Sequence, residues 1–174
     1  GSEMCIRDRG TISNVYGVQI VERDINLKIA QYCKSELETY AGVTVYMTRN
    51  DNTSPNTDRE QRAKFAAEKG ANVLVSIHIN SYGKGYTSAH GAEVYYPNSN
   101  YNSTVSGQGQ NLSAVILKQL TALGLADRGI KIKNSKDGET YPDGSLADYL
   151  GINKYAKLYG YPGILIEHAY ANNV

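Results

Sequence analysis

The chain has 174 residues, of which 41% are hydrophobic and 20% charged. That suffices for one ordinary domain with a real core and excludes a disordered chain. Eighteen Lys and Arg against seventeen Asp and Glu give a net charge of +1. This leaves no basic footprint for nucleic acid, and no apolar run is long enough to cross a membrane.

Gly1 to Arg9 carry neither a helical nor a strand period and read as a foreign or damaged leader; ordinary sequence begins at Gly10. From Glu22 to Tyr40, Ile25, Ile29, Cys33 and Leu37 recur on one face, which predicts an amphipathic helix with Cys33 on its core stripe and Gly42 as a stop. Val43 to Thr48 is β-rich and predicts a short strand; a polar loop follows from Asn50 to Thr57. Asp58 suits the cap of a second helix running through Lys69, stopped by Gly70. Asn72 to Asn80 (NVLVSIHIN) and Gly91 to Tyr96 read as strands around a Gly/Ser/Tyr loop. A helix is predicted over Gln110 to Leu123, a short one over Gly151 to Tyr159, and a last apolar strand over Gly163 to Ala169. Helices alternating with apolar strands predict a single α/β domain, with a mostly parallel twisted sheet covered by helices on both faces.

Three ionisable residues sit where chemistry would want them. His78 lies near the end of one apolar strand, Glu167 near the end of another, and Glu22 opens the first helix. In open α/β sheets the functional crevice lies beyond the carboxyl ends of the strands. A carboxylate there is costly unless it meets a metal, a donor or a proton. Each residue also has a plain reading: a hydrogen-bonded strand histidine, a strand-end carboxylate paired with an arginine, a charge favourable to the helix dipole. His90, after a loop, reads as structural or exposed. His168 points to the face opposite Glu167 and reads as a packing residue. Cys33 on its stripe reads as core, not as a nucleophile. No Gly-x-Ser-x-Gly elbow is present.

The three residues acquire a joint meaning from longer segments. Val21 to Ala30 (VERDINLKIA), Gly42 to Arg49 with Asp51, and Arg62 with Gly70 to Ser81 (GANVLVSIHINS) occur in that order. They are followed by Gly91 to Tyr96 and Tyr161 to Asn173 (YPGILIEHAYANN). Over Gly10 to Asn173 the chain resembles the zinc-dependent N-acetylmuramoyl-L-alanine amidases of the Amidase_3 type. The resemblance implies a hydrolase that cuts the amide bond between N-acetylmuramic acid and L-alanine in peptidoglycan. It implies a secreted protein acting at the cell wall, with Zn2+ as cofactor. It assigns Glu22 and His78 as zinc ligands and Glu167 as the catalytic carboxylate. The family's first zinc ligand is a His in a Gly-His-Gly-Gly segment upstream of the glutamate. That segment is expected within or just before residues 1–9, where no histidine stands. The resemblance thus implies a catalytic domain over residues 10–174 without its N-terminal strand and short of a final helix after Asn173. Two of three protein ligands predict weak zinc binding and impaired activity. The competing expectation is a non-catalytic peptidoglycan-binding module, which the missing His favours and Glu167 opposes.

Overall fold

The structure is a computed structural model that describes residues 12–15, 17–53, 58–83 and 85–173. The leader read over residues 1–9, the strand and histidine expected there, and Cys5 lie outside the described residues.

The chain opens with a hairpin, β1 (Ile12–Val15) and β2 (Val18–Val21), paired antiparallel with Gly17 at φ 79° in the turn. It leads directly into α1 (Glu22–Leu37). Then come α2 (Arg59–Glu68), β3 (Leu74–Asn80), β4 (Ala92–Tyr95) and α3 (Ser103–Ala122). The chain finishes with β5 (Asp127–Lys131), α4 (Gly151–Leu158) and β6 (Gly163–Tyr170). The central sheet has the order β3-β6-β4-β5, with β3–β6 and β4–β5 parallel and β4–β6 antiparallel. The α/β expectation holds: one mixed sheet, two of its three pairings parallel, with helices on both faces.

Each face of the sheet has its own core. On one, α3 covers Ala92, Val94 and Ile166 with Leu117, helped by Ile116, Leu120, Leu125 and Ile130. On the other, α2 and α4 enclose Ala66, Ala156, Tyr161 and Leu74. Gly163 permits the close crossing there, because a Cβ at that position would stand 2.2 Å from the Ile152 carbonyl oxygen. The α2 start is the capping box expected of Asp58. Its side chain accepts from the Gln61 amide at 2.8 Å, and Gln61 Oε1 accepts from the Asp58 amide at 3.2 Å. Caps of this kind contribute about 1 kcal/mol.

A buried polar lock ties the segment before α4 to the helix itself. Lys157 is fully buried, with Nζ 2.9 Å from Asp148 Oδ2 and donating to Asn98 O and Oδ1 at 3.0 and 2.7 Å. Asp148 also accepts from the Tyr141 hydroxyl at 2.6 Å and from the Asn98 amide at 2.8 Å.

Two expectations need correction. Val43 to Thr48 is not a strand. It has no sheet neighbour among the described residues, and its backbone is served instead by side chains from the last turn of α1 and its C-cap. The Val45 amide donates to Glu38 Oε1 at 3.0 Å, and Lys34 Nζ donates to the Val45 carbonyl at 2.8 Å. β-Propensity registers fit to a half-buried pleat, and without one the residues stay extended and unladdered. Cys33 is exposed rather than core. Helix α1 packs on β2 and β3. Ile25 and Ile29 are half-buried, whereas its C-terminal half stands clear and leaves Leu37 45% exposed.

Candidate functional site

Sheet register brings the three residues singled out in the sequence to one place. His78 and Glu167 are direct partners across β3–β6. They therefore project from the same face, one strand spacing apart, about 4.8 Å. Glu22, first residue of α1, is carried to the same edge by β2 and is 4% exposed. Its Oε1 lies 3.0 Å from His78 Nδ1 and also accepts from the Ile79 amide at 3.3 Å and Asn26 Nδ2 at 3.4 Å. A carboxylate at a helix N-terminus is favoured by the dipole, which offsets part of its burial cost. The other ring nitrogen of His78, Nε2, lies 3.0 Å from the Ser76 hydroxyl.

Glu167 differs from the other two. Its Oε2 is buried and has no hydrogen-bond partner among the described residues. Burial raises its pKa to about 8, and the negative charges of Glu22 and Glu93 push the same way, against the pull of Lys133. A buried carboxyl that titrates near neutrality is suited to taking a proton and returning it.

The next strand supplies a residue that sequence reading missed. Glu93 is 3% exposed and stands directly opposite Glu167 across β4–β6. Its Oε2 accepts from Lys131 Nζ at 2.5 Å and Arg128 Nε at 3.1 Å, and its Oε1 from the Tyr95 hydroxyl at 2.8 Å. Burial pushes its pKa up, but the bonds from Lys131, Tyr95 and Arg128 outweigh it and hold the carboxyl below its ordinary value. The alternation Glu93, Tyr95 in the strand was the available signal.

The remaining histidines stand apart from this group. His90 is exposed, with Nδ1 2.9 Å from the Ser88 carbonyl oxygen. His168 lies on the α3 face, its Nδ1 3.3 Å from the His78 carbonyl oxygen, and burial lowers its pKa. A concavity lined by Ala67, Asn72, Gln108 and Tyr161 opens at the opposite end of the sheet and offers no carboxylate, histidine or lysine.

Could the site hold a metal? Among the described residues no three His, Cys, Asp or Glu side chains are grouped to do so. Glu22 and His78 form a converging O/N donor pair, and the unpartnered Glu167 oxygen lies beside them. That donor chemistry suits zinc, and among the described residues it is one short of the three protein ligands of catalytic zinc sites.

Comparison with known proteins gives a consistent result. The sequence pattern of the family described as N-acetylmuramoyl-L-alanine amidase (Amidase_3) matches residues 6–174. The N-acetylmuramoyl-L-alanine amidase LytC of Bacillus subtilis (strain 168) is 29% identical over 168 residues, covering 96% of this chain and 28% of LytC. The structure of Cwp6 from Clostridium difficile superposes with a TM-score of 0.73 at 26% identity, covering 95% of this chain and 23% of that one. The catalytic domain of CwlV, an N-acetylmuramoyl-L-alanine amidase from Bacillus (Paenibacillus) polymyxa var. colistinus, does so with a TM-score of 0.63 at 29% identity, covering 88% of this chain and 69% of that one. The chain thus spans about a quarter of the length of LytC and of Cwp6.

Proposed function

Because this chain belongs to the N-acetylmuramoyl-L-alanine amidase family, we propose that residues 10–174 carry the hydrolytic site of a zinc-dependent peptidoglycan amidase acting outside the cell at the wall. Its bond is the amide between the lactyl carbonyl of N-acetylmuramic acid and the amine of L-alanine. Glu167 is the general base and then the general acid: it takes a proton from water and delivers it to the leaving amine. Glu22 and His78 are the zinc ligands in hand. Zinc, when bound, acidifies water and polarises the scissile carbonyl. Glu22 Oε1 and His78 Nδ1 face each other at 3.0 Å, so the two donors already converge, and the Ser76 hydroxyl holds the ring from Nε2.

The observation that carries this reading is the buried, unpartnered Oε2 of Glu167 beside the Glu22–His78 pair. A module that only binds the wall has no use for such a carboxylate, whose burial is costly. With two donors in hand, zinc is held less tightly than by three. Placing a Gly-His-Gly-Gly segment ahead of Gly10 is expected to raise both metal retention and turnover.

The test is digestion of purified peptidoglycan with zinc present, scored by mass spectrometry for stem peptides with a free L-alanine amino terminus. Both the chain and its His-extended form are assayed. Release that disappears in Glu167→Gln supports the reading. No release from either form, together with retained wall binding, would favour a non-catalytic module instead.

A further inference from the structure

Glu93 collects two cations where neutralisation needs one. Arg128 and Lys131 both bond its Oε2, and their side chains remain 35% and 36% exposed. In a regular strand two residues three apart point to opposite faces. Here a bulge corrects that. The β4–β5 register runs from Ala92 opposite Asp127 to Val94 opposite Ile130, so one extra residue of β5 is spent opposite Glu93. Gly129, at φ 89°, absorbs it. Ile130 keeps its place in the α3 core, while Arg128 and Lys131 arrive on the same carboxylate. Arg128 is held at a second point, its guanidinium 4.9 Å over the Tyr170 ring. A guanidinium oriented through Nε and a ring face is prepared to offer further N–H donors to an anion. At Glu93 one carboxylate thus meets two cations.

We propose that Arg128 and Lys131 form a subsite for a carboxylate on the peptide side of the scissile amide. The proposal rests on the amidase reading. The cations stand on β5, two strands from Glu167 on β6, which is about 10 Å at ordinary strand spacing. That distance is the reach of roughly three extended residues. The sugar side offers no carboxylate there, because its lactyl carboxyl is consumed in the amide and N-acetyl sugars are neutral. The stem peptide offers side-chain and terminal carboxylates within that reach. Glu93 is then a positioning residue, which fixes the two cations and stops them from folding back onto Glu167.

The experiment compares two synthetic muramoyl-tripeptides, one with free carboxylates and one with every carboxylate converted to carboxamide. Binding is read by titration calorimetry and hydrolysis by amine release with zinc. The native chain is expected to bind the carboxylate form about tenfold tighter, the effect of one charge-assisted contact. Arg128→Gln, checked for an unchanged fold by circular dichroism, is expected to reduce that preference to about twofold. Arg128→Lys, which keeps the charge but loses the planar fork, should fall between them. Equal binding of the two forms by the native chain, or an undiminished preference in Arg128→Gln, overturns the subsite. Hydrolysis of both forms at equal rates overturns it while leaving the amidase reading intact. If the His-extended chain also hydrolyses neither form, the amidase reading fails, and a carboxylate preference lost in Arg128→Gln then upholds the anion site alone.

Discussion

Glu167 is destabilised in its charged form, and that has a readout independent of catalysis. Its folded pKa of about 8 lies above the ordinary 4.5 because of burial and the charges of Glu22 and Glu93. Between those values the folded state binds more protons than the unfolded one. Stability is therefore fully present below about pH 4.5, falls as pH rises, and levels off above about pH 8. In zinc-free protein the fall should amount to a few kcal/mol and shrink markedly in Glu167→Gln, as followed by urea melts across that window. The same variant should lose about 10²- to 10⁴-fold in amide hydrolysis, the usual contribution of a positioned acid–base group. His78→Ala should lose zinc retention, measured by elemental analysis after dialysis, and should leave Glu22 buried without its imidazole partner. Glu22, His78 and Glu167 stood out in the sequence at a helix start and two strand ends, but each alone also read as structural, and only the family resemblance joined them into one site. Glu93 was not. A lone carboxylate alternating with apolar residues reads as a solvent face, and its cations lie 35 and 38 residues further on.

Among the elements, α4 depends on a lock that no local pattern announces. Lys157→Met removes one member of a fully buried ion pair and strands Asp148 without it. The expected loss is about 3–5 kcal/mol in a urea melt, and Lys157→Met combined with Asp148→Asn should recover a large part of it. If the single and double variants melt alike, the pair does not couple. The strongly apolar elements β3 and β6 were readable to within two residues at each end, and so was α2 through its cap. Helix α3 starts at Ser103, seven residues before the apolar period suggests. Its first turns bury small side chains, Ser106 and Gly109, against Pro97, and small polar residues leave no hydrophobic signature. Strand β5 (DRGIK) is short and polar and was invisible for the same reason, and the β1–β2 hairpin, with four residues to each strand, is too short to show a period. Val43 to Thr48 erred the other way: a strand needs a neighbour, and composition cannot supply one.

Across the molecule, order should be graded. Strand β6 sits between β3 and β4, with Ile164, Leu165 and Ile166 each less than 7% exposed. The β1–β2 hairpin forms a separate two-stranded sheet, and the far end of α1 stands clear with Tyr32 76% and Leu37 45% exposed. Amide hydrogen exchange should therefore be slowest at residues 164–166 and faster by orders of magnitude at residues 18–21 and in the last turns of α1. Uniform exchange would mean that hairpin, helix and sheet open as one unit. Lys157 extends this to covalent chemistry. Its amine is fully buried among Asn98, Asp148 and the Tyr141 ring, so acylating reagents that modify surface lysines should reach it only when the whole domain opens. Mass spectrometry of that single position would then act as a clock that ticks once per global unfolding event.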